Sequence, residues 1–367
     1  MNWYEISNAD QVDTPALLIY EDRLRANIAE AIRIAGGTSR LRPHVKTHKM
    51  AEVVRMHVEL GIRKFKCATI AEAEMLARSG ADDVLVAHQP TGPKIQRIIA
   101  LIKQYPAVRF STIVDNDLTA KAISGVCGQA DVVLPLYIDL DLGMHRTGIA
   151  PGTESLALYQ LLAMLPGVSP AGLHAYDGHI RDSDFAVRKA KSDAAFQSVS
   201  DMAAAIRGAG GHVPAIIAGG SPTFPVHALR SDVELSPGTY VFWDAGYASM
   251  LPDMNFLPAA LVLTRVISKP GKDLVCLDLG HKSIAAENPH PRVSLQGIRI
   301  DAFTGHSEEH LVVQTPDAEG LKPGDCLYGI PLHICPTVAL YQEAWVVNDG
   351  VAKGCWKVVA RDRKIGV

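Results

Sequence analysis

The chain has 367 residues, with 36 Lys and Arg against 39 Asp and Glu and a formal net charge of -3. That balance excludes the broad basic field that draws nucleic acid or an anionic membrane, so a small molecule is the expected partner. The length exceeds one small core and suits a large α/β barrel plus a smaller domain, or two ordinary domains.

The N-terminal stretch MNWYEISNADQVDTPALLIY is acidic where a secretory signal would be positive, and no apolar run approaches the roughly 18 residues of a membrane span. A soluble cytoplasmic protein is expected. Six cysteines (Cys67, Cys127, Cys276, Cys326, Cys335, Cys355) are scattered without a CxxC pair, which points to reduced thiols.

Residues 39–244 alternate β-rich runs with helical patterns, the signature of repeated βα units and a parallel sheet. The runs are SRLRPHV (39–45), RKFKC (63–67), DVLVAH (83–88), RFSTIVD (109–115), ADVVLPLYIDL (130–140), AGLHAY (171–176), VPAIIAG (213–219) and TYVFWD (239–244). Between the second and third, TIAEAEMLARSG puts Ile70, Ala73, Met75 and Leu76 on one helical face, with Thr69 as N-cap and Gly80 as stop. Eight strands interleaved with helices predict a (β/α)8 TIM-type barrel. An open doubly wound sheet is the competitor, but no GxGxxG follows the first strand. Lys46, Thr69, His88, Asp115, Tyr176, Gly219 and Asp244 end the runs and would gather at one rim, where barrel active sites are built. After residue 250 the text becomes short β runs with turns. The expected organisation is a barrel over residues 17–248 and a smaller β-rich domain over 249–367, against which residues 1–16 pack.

The stretch LRPHVKTHKM (41–50) holds the first chemistry. Strand alternation places Arg42, His44 and Lys46 on one face, toward the barrel mouth. A Schiff-base lysine must be a free amine at neutral pH, a form that cationic neighbours favour. AGGSPT (218–223), after the seventh strand, offers Gly219, Gly220 and Ser221 to an anion, at the place where barrels commonly bind phosphate. DLGMHRTGI (141–149), after the fifth strand, supplies Arg146, a permanent cation able to hydrogen-bond a pyridine nitrogen. These are features of a pyridoxal 5'-phosphate site. In PLHICPT, His333 and Cys335 stand at i and i+2, so on a strand both would face one metal ion, with zinc favoured over magnesium.

Together these stretches resemble the D-threonine aldolase and D-serine dehydratase group of fold-type III pyridoxal-phosphate enzymes, relatives of alanine racemase. RPHVKTHK resembles the group's Schiff-base motif, and CATIAEAEML, DLGMHRTGI, GLHAYDGHIRD, SPGTYVFWDAGY, DLGHKS, SEEH and HICPT resemble its other blocks, in order. The resemblance implies that Lys46, not Lys49, carries the cofactor, with Arg42, His44 and His48 around it. It also implies Arg146 at the pyridine nitrogen, Gly219, Gly220, Ser221 and Tyr240 near the phosphate, Tyr176 and His179 as catalytic side chains, and His333 with Cys335 on a divalent metal. That metal is zinc or manganese, with magnesium a further option. The implied substrate is a D-3-hydroxy amino acid, and the implied assembly is a homodimer with each site shared between subunits. Aldol cleavage to glycine and an aldehyde is the expected activity. The alternatives are a zinc-dependent dehydratase of D-serine or 3-hydroxyaspartate, to which the His-x-Cys spacing leans, then an amino-acid racemase or a cofactor-homeostasis protein.

Overall fold

A computed structural model describes residues 2–367, and in it the chain forms two compact units. One comprises Ala31–Lys46, Ala51–Gly238 and Asp362–Val367; the other takes the N-terminal stretch up to Glu30, Thr47–Met50 and Thr239–Arg361. In chain order the first strands are β1 (Ala16–Tyr20), β2 (Lys64–Cys67), β3 (Asp83–Val86), β4 (Arg109–Val114), β5 (Leu134–Asp141), β6 (Val168–Tyr176), β7 (Ala215–Ala218) and β8 (Glu234–Leu235).

In the barrel unit β2 to β8 form a parallel sheet in sequence order, with helices between them. The predicted first strand, 39–45, is not a laddered strand, because Pro43 lacks an N–H to donate. It is an extended stave that closes the barrel. Arg42 N–H donates to Leu235 O (2.8 Å), Leu235 N–H to Arg40 O (2.7 Å) and Lys66 N–H to Pro43 O (2.9 Å), with bridges Leu41–Leu235 and His44–Lys66. The predicted last strand, 239–244, is instead a 3-10 turn over Thr239–Val241, and the eighth strand is the two-residue β8 upstream of Pro237. Leu85, Ile113, Tyr137, Ala171 and Ile217, one from each of β3 to β7, make a buried cluster of the kind that fills barrels. The helix Ile70–Arg78 starts as its sequence predicts: Thr69 Oγ1 accepts Glu72 N–H at 3.1 Å, and Glu72 Oε2 accepts Ala68 N–H at 2.6 Å. The chain end is tied into this unit, since buried Glu74 accepts Gly366 N–H (2.9 Å) and Val367 N–H (3.2 Å).

The second unit adds β9 (Ala260–Gly271), β10 (Leu274–Leu277), β11 (Val293–Leu295), β12 (Ala302–His306), β13 (Leu311–Gln314), β14 (Cys326–Pro331), β15 (Glu343–Asn348) and β16 (Val351–Lys357). Its mixed sheet runs β12-β13-β10-β9-β1-β15-β16, with β14 on β9 and β11 on β14. β1 is central, antiparallel to β9 and parallel to β15, with Leu18 opposite Leu261 and Trp345. All five of its residues, ALLIY, are buried, as a strand covered on both faces requires. Residues 17–20 therefore lie in the sheet of the β-rich unit. A parallel barrel with a separate, smaller β-rich unit is the architecture expected from the sequence.

Candidate active site

Lys46 lies in the 3-10 turn Val45–Thr47. The preceding His44 fixes that turn: its N–H donates to Pro237 O at 2.9 Å, and its Nδ1 accepts Lys46 N–H at 3.2 Å. Arg42 does not point to the mouth. It is 1% exposed and donates to Asp83 and Glu234, each at 2.6 Å, which open β3 and β8 at the opposite end of the strands. Burial opposes its charge, but the two carboxylates outweigh it and hold the guanidinium pKa above its ordinary value. In the β-rich unit, His48 Nδ1 accepts Met50 N–H at 3.1 Å, and Lys49 takes a left-handed φ of 55°.

At the strand ends of the barrel unit, the Tyr176 ring is the common surface. Arg146 lies over it at 5.1 Å and the Lys66 ammonium at 5.6 Å. The ring passes so close to Gly178 and Gly220 that a Cβ on either would stand 2.1 and 2.9 Å from its atoms, so only glycine fits there. Arg146 is held by its neighbours, because Thr147 Oγ1 donates to Asp139 at 2.9 Å and Asp141 accepts His145 N–H at 3.0 Å. Asp139, Asp141, Arg146, Thr147, His174 and Tyr176 line a small cavity of about 30 Å³. His179 is exposed, its Nε2 only 3.3 Å from where a Cβ on Gly143 would stand.

The turn after β7 binds largely inward. Gly219 N–H donates to Ala175 O at 2.9 Å and Gly220 N–H to Thr223 Oγ1 at 3.4 Å, while Ser221 Oγ accepts Gly238 N–H at 3.2 Å. Gly219 is required for conformation, with φ of 74° and its missing Cβ 2.5 Å from the His227 ring. Tyr240 belongs to the β-rich unit, fully buried with its ring 5.6 Å from Phe256, and burial pushes its pKa up.

Four buried groups at this end were not singled out from the sequence: Lys66, Asp139, His174 and Asp177. Burial, then the Lys46 charge, pulls the Lys66 pKa down to about 7. Burial opposes ionisation of Asp139, but the hydrogen bond from His174 Nδ1 (2.7 Å) leads the contacts that lower its pKa. Burial also keeps His174 below its usual range, and its Nε2 has no hydrogen-bond partner among the described residues. Period-two alternation was the available signal, since His174 shares a strand face with Tyr176, and Asp139 shares one with Asp141.

In the β-rich unit His333 and Cys335 are not on a strand. β14 ends at Pro331, His333 caps the short helix Ile334–Val338, and Cys335 lies within that helix. The two side chains still share a hydrogen bond. Glu287 Oε1 contacts His333 Nδ1 at 2.5 Å; Thr47, the residue after Lys46, shares a hydrogen bond with Cys335 Sγ at 3.2 Å, and Thr239 at 3.5 Å. Burial would raise the Cys335 pKa, but the His333 hydrogen bond leads the contacts that lower it. Burial alone would lower the His333 pKa, but Cys335 and Glu287 lift it to about 9. Asp244 Oδ2 anchors the helix start by accepting Ile334 N–H at 3.0 Å. Among the described residues no group of three or more His, Cys, Asp or Glu side chains forms a complete metal cage.

A lysine turn, an aromatic face with an arginine over it, and a glycine turn after β7 all stand at the strand ends of a parallel barrel. Comparison with known proteins is specific. Residues 19–245 match the alanine racemase N-terminal domain family, to which the chain belongs, and residues 259–347 match the putative serine dehydratase domain. The chain is 32% identical to D-threonine aldolase of Arthrobacter sp, over 96% of this chain and 93% of the relative. It is 29% identical to 3-hydroxy-D-aspartate aldolase of Paracoccus denitrificans, with the same coverages. The crystal structure of D-threonine aldolase from Filomicrobium marinum superposes with a TM-score of 0.87 at 27% identity, covering 97% of this chain and 98% of that one.

Proposed function

We propose that the protein is a pyridoxal-phosphate- and metal-dependent lyase that cleaves D-3-hydroxy amino acids, in the manner of D-threonine aldolase, to glycine and an aldehyde. The observation that carries this reading is the set of groups at the barrel's strand ends. An amine on a fixed turn, a flat ring, a permanent cation over it and a turn that tolerates no Cβ suit an aldehyde-bearing aromatic phosphate. Bound there, pyridoxal phosphate supplies an electron sink for charge developing at Cα. Lys46 is its attachment point, Tyr176 supports one ring face, and Arg146 donates to the ring's polar edge.

Tyr176 and His179 are the proposed proton carriers. A base takes the proton of the 3-hydroxyl, the Cα–Cβ bond breaks, the aldehyde leaves, and Cα is protonated to give glycine. His333 and Cys335 would hold a divalent metal that polarises the 3-hydroxyl. The donor set fits, because a half-buried cysteine sulfur with hydroxyl and imidazole partners, its pKa held below the ordinary thiol value despite burial by the His333 hydrogen bond, is a soft site that favours zinc. Glu287 on His333 is the carboxylate that orients a ligating imidazole. The thiol is also the observation favouring a dehydratase, in which Lys46 would take the Cα proton and hydroxide would leave, giving a 2-oxo acid and ammonia. Similarity along the whole chain to the Arthrobacter aldolase supports the aldolase. Purified protein incubated separately with D-threonine and D-serine decides: glycine is the expected product, and a 2-oxo acid without glycine would replace the aldolase by the dehydratase.

A further inference from the structure

The turn Gly219–Ser221 is held from two sides by buried residues of opposite charge that no step above uses. On one side stands Asp177, 1% exposed. Its carboxylate accepts from Thr223 Oγ1 at 2.6 Å, His227 Nε2 at 2.8 Å and Ser192 Oγ at 3.1 Å. The first two of those groups touch the turn directly. Thr223 Oγ1 accepts Gly220 N–H, and the His227 ring fills the space that a Cβ on Gly219 would need. The imidazole is locked in one tautomer, because Arg230 can only donate to its Nδ1 (3.0 Å), which leaves the proton on Nε2 for Asp177.

On the other side stands Lys66, 2% exposed, whose ammonium donates to Ser236 Oγ. That hydroxyl in turn donates to Gly219 O at 3.0 Å. The turn is thus gripped at a carbonyl through Ser236 and at an N–H through Thr223. Burying a lone charge is costly, and two of them set behind an eight-stave barrel's anion turn are an expensive way merely to fill space.

We infer that Asp177 and Lys66 are positioning residues for this turn, acting through Thr223, His227 and Ser236 to set its grip on the phosphate of the cofactor. The inference rests on the cofactor reading above. Its consequence is selective: loosening either side should weaken recognition of a phosphate-bearing aldehyde and leave the phosphate-free one nearly untouched. A defect that merely softened the barrel would weaken both alike.

The test titrates the full-length protein, stripped of cofactor, with pyridoxal 5'-phosphate and separately with pyridoxal, reading the visible absorbance of bound aldehyde. For Asp177→Asn and Ser236→Ala, the latter cutting the link from Lys66 to the turn, the dissociation constant for pyridoxal phosphate should rise at least about tenfold, and that for pyridoxal by less than about twofold. Should Asp177→Asn fail to fold, Thr223→Val and Thr223→Ser carry the test, since serine keeps the hydroxyl link and should restore the phosphate preference that valine loses. Equal weakening of both aldehydes, or no weakening of either, would overturn the positioning role. Absence of saturable pyridoxal phosphate binding in the parent protein would instead overturn the cofactor reading, and the two failures are told apart by that control.

Discussion

The two candidate centres are built on different principles. At the barrel's strand ends, each proposed group is fixed by partners of the same unit: Lys46 by His44, Arg146 by the Asp139 and Asp141 contacts of its neighbours, the glycine turn by Thr223 and Ser236. The pair in the β-rich unit stands at the start of a five-residue helix with two candidate ligands, one of them nearly half exposed. A site that must hold a reacting organic group is rigid before anything binds. A metal centre with two protein ligands leaves positions open, as catalytic rather than structural metal sites do. The first should therefore respond to substitution through chemistry and affinity for the organic cofactor, and the second through occupancy by the metal.

The sharpest test of that contrast is Lys46→Ala. Turnover should fall at least about 1000-fold, on the scale of losing an essential acid–base group, while the melting temperature stays close to the parent's. Borohydride should fix the cofactor on the peptide containing Lys46; label on Lys49 or Lys282 would break the assignment. Next in size is Arg42→Ala, which removes the buried cation between two partly buried carboxylates, leaving Glu234 with Lys64 alone, and should cost on the order of 3 kcal/mol in denaturant unfolding. A change in activity without loss of stability would return Arg42 to the site. For the metal pair, chelation should stop cleavage without unfolding the protein, and zinc or manganese should restore it. Glu287→Gln should weaken zinc binding by about tenfold to 100-fold in calorimetry. Full cleavage by Cys335→Ala in excess chelator would remove the metal from the proposal.

The pH-dependent effect is the most diagnostic. Lys66 faces Lys46 and Arg42 as well as Asp139 and Asp177, and its pKa in the folded chain, about 7, lies below its ordinary 10.5. The unfolded chain thus holds the extra proton between those values, so the cost of burying the ammonium is complete below pH 7 and fades as pH rises toward 10.5. Lys66→Met should raise the melting temperature most at pH 6 and progressively less by pH 9. A gain independent of pH would mean that packing, not charge, is what the substitution changes.

Much of this was legible because barrels announce themselves by alternating periods, and β2 to β7 fall within or overlap the predicted runs. The first and last staves misled for opposite reasons. Pro43 hides an extended segment by removing a donor, whereas TYVFW (239–243) reads as a strand because it is apolar, although it turns and is buried. The HIC stretch failed likewise: two neighbouring side chains can meet from a helix cap as well as from a strand. Lys46, Arg146 and the glycine turn stood out because their residue types are unusual after a strand. Lys66, Asp177 and His174 did not, because a polar residue in a strand or just after one reads as surface until the barrel closes around it. The inward hydrogen bonds of Gly219 and Gly220 were likewise beyond reach, since a Gly-Gly-Ser sequence does not say which way its amides face.

The central place of β1 in the mixed sheet has a bearing on how the chain is made. Ala16–Tyr20 leaves the ribosome more than 300 residues before one of its two flanking strands, Glu343–Asn348. Everything from residue 39 to 238 can collapse in the meantime through contacts between successive βα units, which are close in sequence. During that interval an apolar five-residue segment waits without its full complement of neighbours, the condition in which nascent chains recruit chaperones or each other. Folding yield, rather than the stability of the finished protein, is where a charge introduced at Leu18 should be felt first.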